Sequence, residues 1–407
     1  MDAMTAYGGN DLMNVAMAIA YATRRDAFEG SGASRGVAYA FDVADVPVVR
    51  LVSGETGHNV AIDLKRVRIE VRGGVINVAR TLALQATGTL ALREGELSLT
   101  GLRVTTSAKG VLDRVVVGLI DSRIIPRIAA ALAAVPIPQL THVFGRDLAA
   151  ALGTVEVIDG PALRAGASIV DRPDVAAADP PASADIDALN GEDGGSALLI
   201  AMASGDALNV LMHALVPPIA HAFDRRGGAS RFGAGIRGVI KATTPALNVR
   251  DGRGTATTTV SFGDLQGGIR LPVKGWTWVR LPSPVTKVAI AHALSASGDR
   301  GLITLTSVAR IAVSLSWPRV LAPVEAVVRG LLNGTLSRFR GQIDEAVSGR
   351  AFTLFELPAT LPGTGMAADV SFARDGLSYH EGSVRAVVRV RVRGVEGAAM
   401  SRARSGE

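Results

Sequence analysis

Residues 10–28 (NDLMNVAMAIAYATRRDAF) lie without a gap over residues 205–223 (GDALNVLMHALVPPIAHAF), at an offset of 195 positions (206 minus 11). The pairs Asp11/Asp206, Asn14/Asn209, Val15/Val210, Met17/Met212, Ala27/Ala222 and Phe28/Phe223 are identical. Further landmarks follow in the same order. Gly32-Ala-Ser-Arg35 recurs as Gly228-Ala-Ser-Arg231, Gly73-Gly74 as Gly267-Gly268, and Gly95 with Leu99-Thr100 as Gly301 with Leu305-Thr306. Pro126 and Pro323 each open a helical stretch, and Asp159-Gly160 with Gly166 returns as Asp375-Gly376 with Gly382. A chain that repeats itself uses each stretch in one role twice, which discards most topologies open to 407 residues. The reading is two tandem modules, residues 1–170 and 205–400. Residues 171–204 between them read as a linker. Its segment 171–196 is rich in Ala, Pro, Asp and Gly and holds seven acids against one Arg, a composition that buries little.

Each module reads helix, strands, helix, strands. Asp11 and Asn14 share a polar stripe, while Met13, Ala16, Met17 and Ala20 follow i, i+3, i+4, i+7 spacing. Asp206, Asn209 and His213 form the polar stripe of the second copy, with Leu208, Leu211, Met212 and Leu215 apolar. Leu12, Val15 and Ile19 are apolar too, so only a thin strip is wet and the helix is predicted to be buried on most sides. Alternation at Val60/Ile62/Leu64, Val67/Ile69/Val71 and from Leu82 to Val104 predicts an antiparallel meander with one dry face. Gly73-Gly74 and REGE (93–96) are its turns. Ile269/Leu271/Val273, Ile303/Leu305 and Ile311/Val313/Leu315 continue the pattern in the second module. Second helices are expected over 126–135 and 323–347, each with proline in its first turn. The fold class is α+β: in each module, one highly twisted antiparallel sheet wrapped around long apolar helices.

Composition narrows the chemistry. Hydrophobic residues make up 48% and aromatics 4%, so the mass to be buried is aliphatic and wholesale disorder is excluded. With no cysteine, disulfides, thiolate metal sites, iron–sulfur clusters and Cys nucleophiles all drop out. The net charge is +6, and with only five lysines (65, 109, 241, 274 and 287) the positive charge is nearly all arginine. That balance fits an anionic surface; it fits an Arg-rich coding bias equally. The longest uncharged runs, 128–145 and 207–223, are each interrupted by two prolines and fall short of the about 20 apolar residues that cross a bilayer. The first residues, MDAMTAYGGNDLMN, lack the basic start and apolar stretch of a signal peptide. The expected location is cytoplasmic for the chain as written, or periplasmic or secreted if an export signal has been removed.

Catalytic motifs find no footing. Gly32-Ala-Ser-Arg-Gly36 matches G-x-S-x-G, but a nucleophile elbow needs a strand before and a helix after. Here a helix precedes and strands follow, and the second copy has Phe232 in place of the closing glycine. Both read as structural turns. Histidines 58, 142, 213, 221, 292 and 380 fit no metal-ligand spacing, and no phosphate loop or dinucleotide fingerprint is present. No catalytic residue, metal or cofactor is expected. Arg385, Arg389, Arg391 and Arg393 alternate with apolar residues, which reads as the solvated face of an edge strand. Without interleaved aromatics, no nucleic acid is expected as partner.

One stretch suggests a surface role. The Gly-Gly landmarks are offset by 194 residues (267 minus 73) and the Gly-Leu-Thr landmarks by 206 (301 minus 95), which leaves twelve extra residues in the second copy. They fall around LPVKGWTWVRLPSPVTK (271–287). Trp276 and Trp278 share a strand face, flanked by Lys274, Arg280 and Lys287, and Pro282 and Pro284 would stiffen a tip and end its pairing. Indoles beside cations suit a bilayer interface, so the tip reads as a membrane- or partner-docking site. The alternative is that both indoles cap the core or an interface between modules.

The duplicated element order, the VPIPQL (135–140) and ELPATLPG (356–363) segments after the second helices, and the Asp-Gly pairs behind them resemble the TULIP superfamily of tubular lipid-binding proteins. The two-module branch of bactericidal/permeability-increasing protein is the most similar, together with related bacterial proteins from toxin gene clusters. The resemblance covers about 10–170 and 205–393. It implies a non-enzymatic lipid-binding or lipid-transfer protein, membrane-associated at its periphery, with a hydrophobic tube for acyl chains in each module. Met13, Met17, Ala20, Ile128, Leu132 and Val135 would line the first tube. Leu208, Met212, Leu215, Val324, Val328 and Leu331 would line the second. Small residues at 129–131, 133 and 134 leave room beside a sheet. Lipid or another hydrophobic small molecule, an anionic membrane surface and a protein are the expected partners. The alternative is a structural or interaction protein, a component of a secretion or toxin-type complex, with solid cores and no ligand. An enzyme would require Ser34, a histidine and a carboxylate to converge in a pocket.

Overall fold

The β-patterned stretches pair into three antiparallel sheets in the computed structural model, which describes residues 2–34, 36–52, 58–73, 76–93, 96–105, 118, 120–133, 150–170, 172, 174–189, 196–228, 232–357 and 368–392. The first sheet is a meander of β2 (Glu29–Ser34), β3 (Val37–Val43), β5 (Val60–Gly73), β6 (Ile76–Arg93) and β7 (Glu96–Thr105), with β4 (Val48–Leu51) paired on β5. The second runs β11 (Ile219–Gly228), β12 (Gly233–Ala242), β14 (Arg253–Leu271), β16 (Val285–Ser297), β17 (Arg300–Val308) and β18 (Ala351–Glu356); β13 (Ala246–Arg250) and β15 (Gly275–Arg280) both pair on β14. The third has the order β19 (Ala368–His380), β20 (Ser383–Val392), β10 (Ala197–Ser204), β1 (Met4–Gly8), β9 (Ala162–Ile169) and β8 (Ala150–Ile158). Strands from both sides of the acidic segment therefore hydrogen-bond into one sheet.

Alternation dictates the dry faces. In β5, Ile62 and Leu64 are buried, then Val67, Ile69 and Val71. The phase changes because the register on β6 shifts between Leu64 and Val67, a bulge that returns the apolar set to the same face.

The first helix, α1 (Asn10–Thr23), is apolar nearly all round and is buried on two sides. Met13, Met17 and Ala20 join Phe28, Phe41, Ile62 and Ile128 in the core of the first sheet. Val15 and Ile19 face the third sheet beside Ala197. The chain leaves helical geometry at Arg24 (φ −128°, ψ 54°), and a short α2 (Arg25–Phe28) follows. Past the break, the Arg25 guanidinium reaches Asp42 at 2.6 Å and the Val43 carbonyl at 3.1 Å, which anchors that turn to β3. In the second copy, α5 (Gly205–Leu215) is capped by the Ser204 hydroxyl accepting from the Ala207 N–H. It ends at Val216, whose extended backbone is what a following proline demands. Residues 219–223 are strand, so Phe223 corresponds to Phe28 in sequence but not in secondary structure.

The asparagines of these helices bond to backbone, while Asp206 and His213 are exposed. Asn14 Oδ1 accepts from the Val49 N–H at 2.7 Å, and Asn10 Oδ1 from the Leu51 N–H at 2.7 Å. Asn209 Oδ1 accepts from the Leu247 N–H at 2.7 Å, and its Nδ2 donates to the Leu247 carbonyl at 3.1 Å. Each asparagine clasps the exposed backbone of a short strand, β4 or β13.

Two further helices complete the cores. A π turn at 120–124 leads into α3 (Ile125–Ala133), and a 3-10 turn at 319–324 leads into α6 (Glu325–Val347). Val328, Leu332, Leu336, Phe339, Ile343 and Val347 form one buried stripe of α6. Its opposite side faces solvent, with Val327 48% exposed. The sheets are twisted half-barrels on which the helices sit, and at α6 the sheet flanks the helix on one side instead of enclosing it.

The structure corrects several readings. Residues 197–204, inside the span read as linker, are β10. The acidic segment folds against the third sheet: Ala178 and Leu189 are buried with Tyr7, Ala162, Ile200 and Met202, and Ile186 of α4 (Ser183–Ala188) packs on them. Asp185 pairs with Arg385 at 2.5 Å, and Asp179 accepts from the Gly382 N–H at 2.8 Å. Arg389 and Arg391 are exposed on β20, but that strand lies between β19 and β10 and is no edge. Gly267-Gly268 sits inside β14 and not in a turn. Asp159-Gly160 does turn β8 into β9, whereas Asp375-Gly376 lies in a bulge of β19 where the pairing skips from Phe372 to Leu377. The second hairpin turn is at Glu381-Gly382.

Candidate functional site

The first interior lies between α1, α3 and the first sheet. Met13, Met17, Ala20 and Ile128 are all buried there, and no more than 4% of any of them is exposed. The Leu132 side chain and Val135 lie outside the described residues. The second interior lies between α5, α6 and the second sheet. Leu208, Met212 and Val328 are buried in it; Leu215, Val324 and Leu331 are half-buried and pack against it. The neighbouring Leu332, not singled out from the sequence, is buried one turn after Val328 on the same stripe, and Leu331 flanks that stripe. The buried polar side chains among the described residues are Thr5, Ser196, Ser204, Thr258, Thr335 and Ser383; none is charged.

The residues matched by G-x-S-x-G form a β-hairpin. Gly32–Ser34 end β2, and Gly36 (φ +78°) turns the chain into β3. A strand follows where an elbow needs a helix. His213 stands exposed on α5, and His221 is half-buried on β11, beside the Phe339 ring at 6.5 Å. Among the described residues no three His, Cys, Asp or Glu side chains group as metal ligands.

The tryptophans occupy a surface that only cross-strand register assembles. Trp278 pairs with Gly268, Gly268 with Gly235, and Gly235 with Arg226 across β15, β14, β12 and β11. Trp276 pairs with Arg270, and Arg270 with Gly233. The alternate residues Ala234, Ile236, Leu265 and Gly267 are buried, so this row is the outer face of the sheet. The indoles are half-buried and stack on each other, centroids 5.3 Å apart and planes 19° from parallel. They lie flat on glycines: a Cβ on Gly235 would come within 2.9 Å of Trp276, and one on Gly268 within 2.6 Å of Trp278. The guanidinium of Arg237 lies 4.3 Å from the Trp278 ring centre, and that of Arg226 5.3 Å from Trp276 and 5.9 Å from Trp278. Arg226 also donates to Asp224, which holds that carboxyl below the usual carboxylate range. Lys274 and Arg280 are exposed at either end of β15.

The indoles thus cap no core. The projecting tip expected from the extra residues is instead a strand lying on the sheet. Pro282 and Pro284 fall in the four-residue break between β15 and β16, where pairing ends as prolines require. An open groove of about 650 Å³ lined by Arg280, Leu281, Ser316, Trp317 and Pro318 lies beside it.

No protein-family model matches the chain, and no curated protein matches it in sequence. Solved structures do. A lipopolysaccharide binding protein is 11% identical, with 96% of this chain and 98% of that one covered at a TM-score of 0.34. P47 of Clostridium botulinum E1 is 8% identical, with 98% of each chain covered and a TM-score of 0.46. P47 from Clostridium botulinum A2 is 9% identical, with 96% of each covered and a TM-score of 0.44. The fold itself is three twisted antiparallel sheets with a few helices seated on them.

Proposed function

We propose that the protein is a non-enzymatic lipid-binding protein that carries an acyl chain or similar apolar ligand in each of two modules, between the helices and the concave face of the sheet. The observation that carries this reading is the character of the two interiors: apolar, helix-lined and free of buried charge among the described residues. Burying apolar surface contributes roughly 25 cal/mol per Å², whether the surface comes from a side chain or an alkyl ligand.

A duplication into two modules draws support from register, with β10 (Ala197–Ser204), inside the span 171–204, as the opening strand of the second copy. At an offset of 195, Ala6 corresponds to Ala201, and these two are Cα partners between β1 and β10. Met4 faces Ala203 and Gly8 faces Leu199, so exchanging the two copies reproduces the pairing. Asn14 and Asn209 clasp corresponding short strands in the same way.

Native mass spectrometry and lipid extraction of the purified full chain test the reading. Retained or acquired lipid is expected, and uptake falls in Leu331→Trp, which would block the second tube. A chain that neither retains nor takes up lipid overturns it. The second reading, a structural or interaction protein with solid cores, is favoured by Phe339, Phe352 and Phe355, which fill part of the second interior. A stoichiometric protein partner copurifying in the absence of lipid would support it.

A further inference from the structure

We propose that the outer face of β11, β12, β14 and β15, together with two hairpin ends at its rim, docks on an anionic lipid bilayer. The face is cationic. Arg226, Arg237, Arg270, Lys274 and Arg280 stand on it or at its end, against Asp224, already engaged by Arg226, and Asp264 at the β14 bulge. Among the described residues no carboxylate pairs with Arg270, Lys274 or Arg280. The guanidiniums stacked on the indoles are engaged, Arg226 with Asp224 and Arg237 with Gln266 Oε1, so Arg270, Lys274 and Arg280 are the cations that meet phosphate oxygens.

The rim is apolar. Val273 is 96% exposed in the turn between β14 and β15, and Phe232 is 64% exposed in the turn before β12. Gly233, next to Phe232, pairs with Arg270, two residues before that turn, so both side chains project from the same end of the sheet. A water-facing turn gains nothing from a fully exposed valine; a turn that dips below the headgroups does. The indoles, level with the arginines, then sit at headgroup depth.

The same rim argues against a nucleic acid or anionic glycan as the occupant, since neither offers a hydrocarbon phase for Val273 and Phe232. The indoles also leave no slot for a base: Trp278 has glycine backbone on one side and Arg237 on the other. The surface is separate from both interiors, and its occupancy does not depend on the proposed carrier role.

Cosedimentation of the full chain with phosphatidylcholine vesicles, with and without phosphatidylglycerol, tests the proposal. Binding is expected only with phosphatidylglycerol and weakens as salt is added. The exposed pair Phe232→Ser/Val273→Ser should lose about tenfold or more in vesicle affinity. Arg270→Gln/Arg280→Gln should lose about fivefold per charge. In a Trp317→Phe background, emission from Trp276 and Trp278 should shift to the blue on phosphatidylglycerol vesicles. Neither pair removes a buried side chain, so an unchanged far-ultraviolet spectrum accompanies the loss. Absence of binding at low salt overturns the proposal. Binding that both pairs leave intact does so too, as does retention on heparin without any vesicle binding.

Discussion

Asn14 and Asn209 each hold a strand to a helix through a backbone N–H at 2.7 Å. Replacing one by Ala leaves that N–H without its partner, at a cost of about 1–3 kcal/mol. Asn209 also donates to the Leu247 carbonyl, so Asn209→Ala should be the more destabilising in urea denaturation. The aspartate variants separate the two roles. Asn14→Asp keeps the acceptor and should stay close to wild type, whereas Asn209→Asp sets a carboxylate against a carbonyl and should not. Tyr379 gives a second prediction at this scale. Its hydroxyl is buried without a hydrogen-bond partner among the described residues, and burial pushes its pKa up to about 12 from 10.0. The folded state therefore holds this proton more tightly than the unfolded chain. Stability is fully present below about pH 10 and falls as the pH rises towards about 12. Tyr379→Phe should match or exceed the wild type at neutral pH and lose the alkaline component of denaturation. An identical alkaline profile in the variant would show that another group governs it.

At the scale of elements, α6 depends on a single stripe. Phe339 is fully buried at its centre, facing the second sheet. Phe339→Ala should cost about 3–5 kcal/mol, while Val327→Ala on the solvent side should cost well under 1 kcal/mol; thermal denaturation distinguishes them. The Trp face rests on small residues in other strands. A methyl at Gly268 would lie 2.6 Å from Trp278, so Gly268→Ala must displace the indole. The expected readout is a weakened near-ultraviolet dichroism of the stacked pair with the far-ultraviolet spectrum preserved. An undisturbed near-ultraviolet signal would mean that the sheet, not the ring, yields.

For the whole molecule, the third sheet is the joint. β10 is paired on one side by β20 and on the other by β1, more than 180 residues earlier (197 minus 8). A fragment beginning at 197 would leave the β1 side of β10 as an open edge, a template for pairing with another chain. Such a fragment should associate in size-exclusion chromatography with light scattering, and adding a synthetic β1 strand should suppress this. A monodisperse monomer would show that the edge is closed in some other way.

Burial of Met13, Met17, Ile128, Leu208, Met212 and Val328 was legible in the sequence because helical spacing sets which side of a helix is apolar, and apolar sides go inside. The alternation of β5 and β6 was legible for the same local reason. The acidic segment was misread because its composition is hydrophilic. Ala178, Ile186 and Leu189 find cover only because Tyr7, Ile200 and Met202 stand opposite them in a sheet. The glycine seat under Trp276 and Trp278 was equally invisible, since Gly233, Gly235 and Gly268 reach the indoles through register alone. Sequence by itself determined periodicity, and with it the elements and their dry faces. Which strands meet was left to the tertiary structure, because backbone hydrogen bonds along a strand edge are the same for every residue and carry no address.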